Sequence, residues 1–184
     1  VYGFIAFAGP PFEKMDSGTV LIVCPESLGS GFLLNQGRQV ATNWHVAIEC
    51  VYEGKLKVIH KNGQQSSASH LGHDERKDLA ILNLETPFTG NIAPLVPSTL
   101  VKKGDEVWVY GYPGAAMGLA NQFTDLDPTT TKGIISRMVT SKQEVEMFQI
   151  DASINPGNSG GPVFNELGGI IGIATMKSLT VVMV

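Results

Sequence analysis

Short apolar runs separated by glycine, proline and asparagine turns form the dominant pattern along this chain. A first series occupies 19–24, 32–34, 39–42, 55–59 and 79–84, and a second occupies 106–110, 133–137, 147–150, 162–164, 169–173 and 180–184. The runs are rich in Val, Ile, Leu and Phe, and turn signals such as Asn35-Gln36-Gly37, Lys61-Asn62-Gly63 and Leu167-Gly168-Gly169 lie between them. In Lys55-Leu56-Lys57-Val58-Ile59 polar and apolar positions alternate, which predicts a strand with one wet face. Many short strands at regular spacing predict an all-β sandwich or barrels, not βαβ units. Helix is confined to one or two turns at 46–52, directly after His45. The segment 94–104, with Pro94 and Pro97 and a closing Gly104, reads as a linker that divides the chain nearly in half. No internal repeat or low-complexity tract interrupts this organisation.

Composition narrows the picture. The 184 residues are 43% hydrophobic, enough for a sizeable core in one domain or in two small ones packed together. Only 16% are charged and the net charge is −4. There is no basic footprint, and nucleic acid is excluded as a partner. No stretch approaches the roughly 20 apolar residues of a membrane-spanning helix, and the apolar tail 179–184 reads as one strand. The chain starts at Val1 without Met or a signal peptide, as a processed or trimmed chain would. Cys24 and Cys50 are the only cysteines. They suffice for one bridge in an oxidising compartment, although the burial tendency of free cysteine favours two ordinary core thiols.

The chemistry concentrates in Asn155-Pro156-Gly157-Asn158-Ser159-Gly160-Gly161-Pro162-Val163. A serine hydroxyl is a poor nucleophile until a base takes its proton and its backbone is held for attack. The glycines meet the second need, since Gly157, Gly160 and Gly161 allow positive φ and close substrate approach. Such a turn can aim the N–H groups of Gly157 and Ser159 at one point, an oxyanion hole. Taken alone the motif also fits a glycine-rich hairpin with an exposed serine. It fits the nucleophile elbow of α/β-hydrolases too, but there histidine follows serine, whereas His45, His60, His70 and His73 all precede Ser159. A subtilisin order requires an α/β pattern, which is absent.

The base is assigned to His45 in Ala41-Thr42-Asn43-Trp44-His45-Val46, at the end of an apolar run facing a cleft. His60 and His70 read as solvated turn residues. His70 and His73 lack a third ligand, and neither a metal nor another cofactor is expected. The acid is assigned to Asp78, which opens the apolar run 79–84, where a carboxylate is costly unless something uses it. Buried against His45, it would fix the imidazole tautomer. Asp74, among His73, Glu75, Arg76 and Lys77, is the competing acid and reads as part of a wet charged turn.

Together these segments resemble the chymotrypsin-like serine peptidases, and among them the bacterial HtrA/Deg-type protease domain. Gly29-Ser30-Gly31-Phe32-Leu33 with the His45 segment, the Asp78 segment, the Ser159 signature, Gly133-Ile134-Ile135-Ser136 and Gly169-Ile170-Ile171-Gly172-Ile173 carry the similarity over roughly 18–175. The resemblance implies two six-stranded antiparallel β-barrels with the site in the cleft between them. It places His45 and Asp78 in an N-terminal barrel at 1–95 and Ser159, the oxyanion hole and the specificity pocket in a C-terminal barrel at 104–184. It implies that Thr175 supports the buried aspartate. By the same alignment Ser153, Ile154, Ala174, Met176 and Lys177 line the pocket for the residue before the cut. With no acid at Ser153, small or medium aliphatic residues are expected there, and Lys177 leaves a minority case for acidic ones.

The departures are specific. Gly111-Tyr112-Pro113-Gly114 resembles the glutamyl endopeptidase branch, which uses a histidine where Ala174 stands, so acidic specificity is unsupported. Asn158 replaces the aspartate that pairs with a freed N-terminus in trypsin-like enzymes, which argues against that route of activation. HtrA relatives carry a PDZ domain after the protease; this chain ends near its last expected strand, so such a domain is expected to be absent or removed. The function expected is therefore endopeptidase action on a polypeptide, with a latent domain that mainly binds protein as the alternative and a homo-oligomer or activating partner as the family's means of control. Relatives point to the periplasm or the outside of the cell, against a cytoplasmic alternative.

Overall fold

Strand periodicity decides the architecture. In the computed structural model, which describes residues 9–114, 126–175 and 180–183, twelve strands close into two six-stranded antiparallel barrels. The first is built from β1 (Thr19–Val23), β2 (Leu28–Leu34), β3 (Gln39–Thr42), β4 (Lys57–His60), β5 (Gln65–Asp74) and β6 (Leu79–Leu84), in the closed order β1-β2-β3-β6-β5-β4. The second is built from β7 (Glu106–Gly111), β8 (Thr129–Thr140), β9 (Glu146–Ile150), β10 (Pro162–Phe164), β11 (Ile170–Thr175) and β12 (Thr180–Met183), in the order β10-β11-β12-β9-β8-β7. Closure leaves no free strand edge in either sheet.

Successive side chains on a strand point to opposite faces, and here both faces of several strands are apolar for different reasons. Val107 and Val109 of β7 fill the second barrel, whereas Trp108 and Tyr110 face a separate cluster with Phe32, Ala41, Phe164 and Ile173. Likewise Leu33 and Val40 fill the first barrel while Phe32 and Ala41 face outward into that shared cluster. The barrels are thus welded by residues that would otherwise be solvent-facing. Tyr110 meets Phe164 edge-on, with ring centroids 5.3 Å apart, the arrangement aromatic quadrupoles favour.

Several expectations need correction. β5 lay outside the expected runs because Gln65-Ser66-Ser67-Ala68-Ser69-His70 has almost no apolar content; it forms because β4 and β6 both offer it ladder partners. His70 accordingly belongs to a strand, and His60 ends β4 buried at 3% exposure, its Nε2 2.9 Å from the Ser17 carbonyl. Neither is a turn residue. A short helix, α1 (Phe12–Gly18), was also unforeseen, and it inserts Met15 into the inter-barrel cluster. The helix after β3, α2 (Trp44–Glu53), is longer than expected and includes His45 itself. Gly54 closes it at φ +65°, a conformation that costs glycine nothing. Segment 94–104 is no free tether: Val96 N–H donates to the Ile170 carbonyl and Ile170 N–H to the Pro94 carbonyl, each at 2.8 Å.

Cys24 and Cys50 are joined in a disulfide, with Cα atoms 5.3 Å apart, pinning the end of β1 to α2. The two-thiol reading is corrected by proximity that only the folded barrel creates.

Asp16 on α1 offers a stability test. Burial pushes its carboxyl above the usual carboxylate range, and Asp127 adds to that push, against the pull of Lys61 Nζ at 3.7 Å. The folded chain therefore holds this proton more tightly than the unfolded one, and the group's stabilising contribution is lost as pH rises through the folded value. Asp16→Asn is expected to raise Tm at pH 7 by about 1–3 °C, with the gain shrinking as pH falls through the carboxylate range. A lower Tm at pH 7 by calorimetry would contradict this.

Candidate active site

The start of α2 and the turn before β6 assemble the first half of the site. Asp74 opens that turn, its Oδ1 accepting the N–H groups of Arg76 and Lys77 at 2.9 and 3.2 Å. These bonds, the one from Lys77 foremost, hold its carboxyl below the usual carboxylate range. Asp74 is therefore spent on the turn, and the turn delivers Asp78 at φ +52°. Asp78 Oδ1 accepts the His45 N–H at 2.9 Å and Oδ2 lies 2.6 Å from His45 Nδ1. The Asp78 carbonyl accepts the Trp44 N–H at 3.1 Å and Asn43 Nδ2 at 2.8 Å. A carboxylate can only accept, so it selects the tautomer with the proton on Nδ1 and leaves Nε2 as a base. The Asp78 side chain is 14% exposed and that of His45 39%, so the acid is shielded while the imidazole reaches the solvent side. His45 lies in the first turn of a helix, not at a strand end.

The second barrel contributes the rest. Thr175 Oγ1, from β11, lies 3.4 Å from Asp78 Oδ2. Ser159 is 4% exposed, and its neighbour Gly160 packs so closely on Ser30, Thr42 and Asn43 that a Cβ would strike them. The turn that carries Ser159 therefore abuts the residues that lead into His45. Gly157 has φ +101°, and a Cβ there would collide with the Tyr112 carbonyl; glycine is required on both counts. Among the described residues no acceptor takes the N–H of Gly157 or of Ser159, while the Pro156 and Asn158 carbonyls are tied to Gly114 and Gly161 N–H at 2.7 and 2.9 Å. Both donors are left for a ligand.

The expected pocket residues fare unevenly. Ala174 is buried, Ile154 is half-buried against the second core, and Ser153 is exposed, its carbonyl accepting Thr131 Oγ1 at 2.8 Å. Met176 and Lys177 lie outside the described residues. A cavity of about 440 Å³ is lined by Pro156 and Gly157 together with the β1–β2 connection at Cys24 and Ser27. His70 and His73 are spent on each other, ring nitrogens 3.0 Å apart, with His73 stacked 3.8 Å above Trp44. Among the described residues no group of three or more His, Cys, Asp or Glu side chains is placed to hold a metal, and no helix is long and apolar enough to cross a membrane. Asn43 and Ser30 were not singled out from the sequence; their contribution depends on contacts across the chain that no local spacing reveals.

Comparison with known proteins places this arrangement. The trypsin-like peptidase domain family matches residues 29–173. The chain is 35% identical over 166 residues to the serine protease Do-like HtrA of Lactococcus lactis, covering 84% of this chain and 38% of that protein. It is 35% identical over 155 residues to a Rhizobium meliloti protein named "Probable periplasmic serine endoprotease DegP-like", covering 82% of this chain and 28% of that protein. The chain thus spans well under half the length of these relatives. A crystal structure of Deg5 superposes with a TM-score of 0.78 at 25% identity, covering 94% of this chain and 85% of that one.

Proposed function

The chain belongs to the trypsin-like peptidase family, and from that premise we propose that it is a serine endopeptidase of HtrA/Deg type acting through Ser159, His45 and Asp78. The observation that carries the reading is the short His45–Asp78 contact, 2.6 Å at Nδ1, beside a nucleophile turn whose amide donors are uncommitted. Ser159 Oγ attacks the carbonyl carbon of the scissile peptide while His45 Nε2 takes its proton. The oxygen that gains the electron pair is held by the N–H groups of Gly157 and Ser159. Collapse breaks the C–N bond, His45 returns the proton to the departing amine, and water hydrolyses the acyl-enzyme by the same route. The uncommitted donors also favour this reading over a latent domain that only binds protein.

For the residue before the cut we propose a small or medium aliphatic side chain. Ser153 brings no charge and Ala174 leaves room without a polar atom. A positional peptide library is expected to select Val, Ala or Leu, with kcat/KM at least about 10-fold above that for Arg or Lys, as a pocket without a carboxylate would give. Strong selection of Arg or Lys would overturn the proposal. The Cys24–Cys50 bridge and the periplasmic name of the Rhizobium relative support action in the periplasm or outside the cell, where disulfides persist.

A further inference from the structure

Ser30 lies on β2, in the barrel that does not carry the nucleophile, and it is fully buried. Every polar group it has is engaged. Its N–H donates to the Ser159 carbonyl at 2.8 Å and its carbonyl accepts the Thr42 hydroxyl at 2.7 Å. Its own hydroxyl accepts the Tyr112 N–H at 2.8 Å and donates to the Gly157 carbonyl at 2.7 Å. The direction is unambiguous, because an amide N–H can only donate and a carbonyl can only accept.

Two of these bonds, to the Ser159 and Gly157 carbonyls, fall on the turn that carries Ser159. In a trans peptide the C=O and N–H point opposite ways, so fixing a carbonyl aims the amide that follows it. Gly114 holds the Pro156 carbonyl and Gly161 holds the Asn158 carbonyl, which aims the N–H groups of Gly157 and Ser159. The peptide between those two donates its Asn158 N–H to the Asn155 carbonyl at 3.0 Å, within the turn, and its carbonyl is held from the other barrel by the Ser30 hydroxyl. Gly157, at φ +101°, has no side chain to resist rotation, so without the Ser30 bond that peptide keeps only its contact to Asn155 inside the same turn, and a shift of it moves both neighbouring amides. We propose that Ser30 is a positioning residue: a clamp across the two barrels whose hydroxyl sets the oxyanion hole by locking the Gly157–Asn158 peptide. The proposal rests on the serine-peptidase reading above.

The test uses an alkyl fluorophosphonate, with which Ser159 Oγ forms a bond to phosphorus as fluoride leaves and His45 takes the hydroxyl proton. Ser66→Ala is the matched control. That hydroxyl, 5% exposed in the same barrel, also donates to a carbonyl, of Ser67 at 2.8 Å, and accepts an N–H, of Thr86 at 2.9 Å. For Ser30→Ala the maximal labelling rate is expected to fall about 10- to 100-fold. The half-saturating concentration should stay within about threefold and the pH profile should keep its wild-type midpoint, because the nucleophile and base are untouched. Ser66→Ala should lose a comparable amount of Tm and no labelling rate. Ser30→Cys, with a weaker donor, should fall between Ser30→Ala and wild type, and it carries the test if Ser30→Ala does not fold. A labelling rate for the folded Ser30 variant within twofold of wild type, or an equal loss in Ser66→Ala, overturns the proposal alone. A folded wild type that takes no label defeats the peptidase reading, and this proposal with it.

Discussion

Ser159→Ala is expected to lower kcat for peptide hydrolysis by about a million-fold, the largest effect of any single change in this chain. In the proposed mechanism the substitution removes the atom that bonds to substrate, and what is left is binding and the oxyanion donors. His45→Ala should cost nearly as much, and the double variant little more, because nucleophile and base act as one unit. The fold should survive, since the Ser159 main chain is held by Ser30 and its neighbour Gly160 donates to the Ala174 carbonyl at 2.9 Å, neither of which uses the lost hydroxyl. Turnover of the best library peptide, measured with enzyme in excess, checks this. Residual activity above about 1% of wild type would mean that another group attacks the substrate.

The second large effect is expected at Asp78. Asp78→Asn should lower kcat by about 10⁴-fold while shifting Tm by no more than a few degrees. Asparagine keeps the shape and tolerates the φ of +52° that Asp78 adopts. The main-chain carbonyl that receives Trp44 and Asn43 is unchanged. What changes is the partner of His45 Nδ1: an amide that turns its NH₂ toward the ring selects the opposite tautomer and places the proton on Nε2, where the base must be bare. A loss smaller than about tenfold would show that the 2.6 Å contact is structural and that the tautomer is set elsewhere.

The barrel strands were legible because one face of each must be apolar, and the runs that face both a barrel and the shared cluster, such as 107–110, are apolar throughout. β5 was not, since its residues face water and its pairing is imposed by β4 and β6. α1 escaped for a related reason: a helix this short owes its existence to the burial of Met15 between the barrels, a contact with no periodic signature. His45, Asp78 and Ser159 are proposed from short motifs marked by glycines and flanking apolar runs, and the close approach of His45 and Asp78 is what the structure adds. Ser30 sat inside a quoted motif, yet its hydroxyl acquires meaning only when distant residues, Tyr112 and Gly157, fold against it. The Cys24–Cys50 bridge was missed for the same reason, because a sequence separation of 26 carries no information about where β1 ends relative to α2.

Intact mass after treatment with a fluorophosphonate tests the central claim most directly, with wild type, Ser159→Ala and His45→Ala compared at one concentration. A single covalent adduct on the wild type, absent from both variants, is the predicted result. A folded wild type that gains no mass, or a Ser159→Ala protein that gains it, would contradict the assignment of Ser159 as an activated nucleophile.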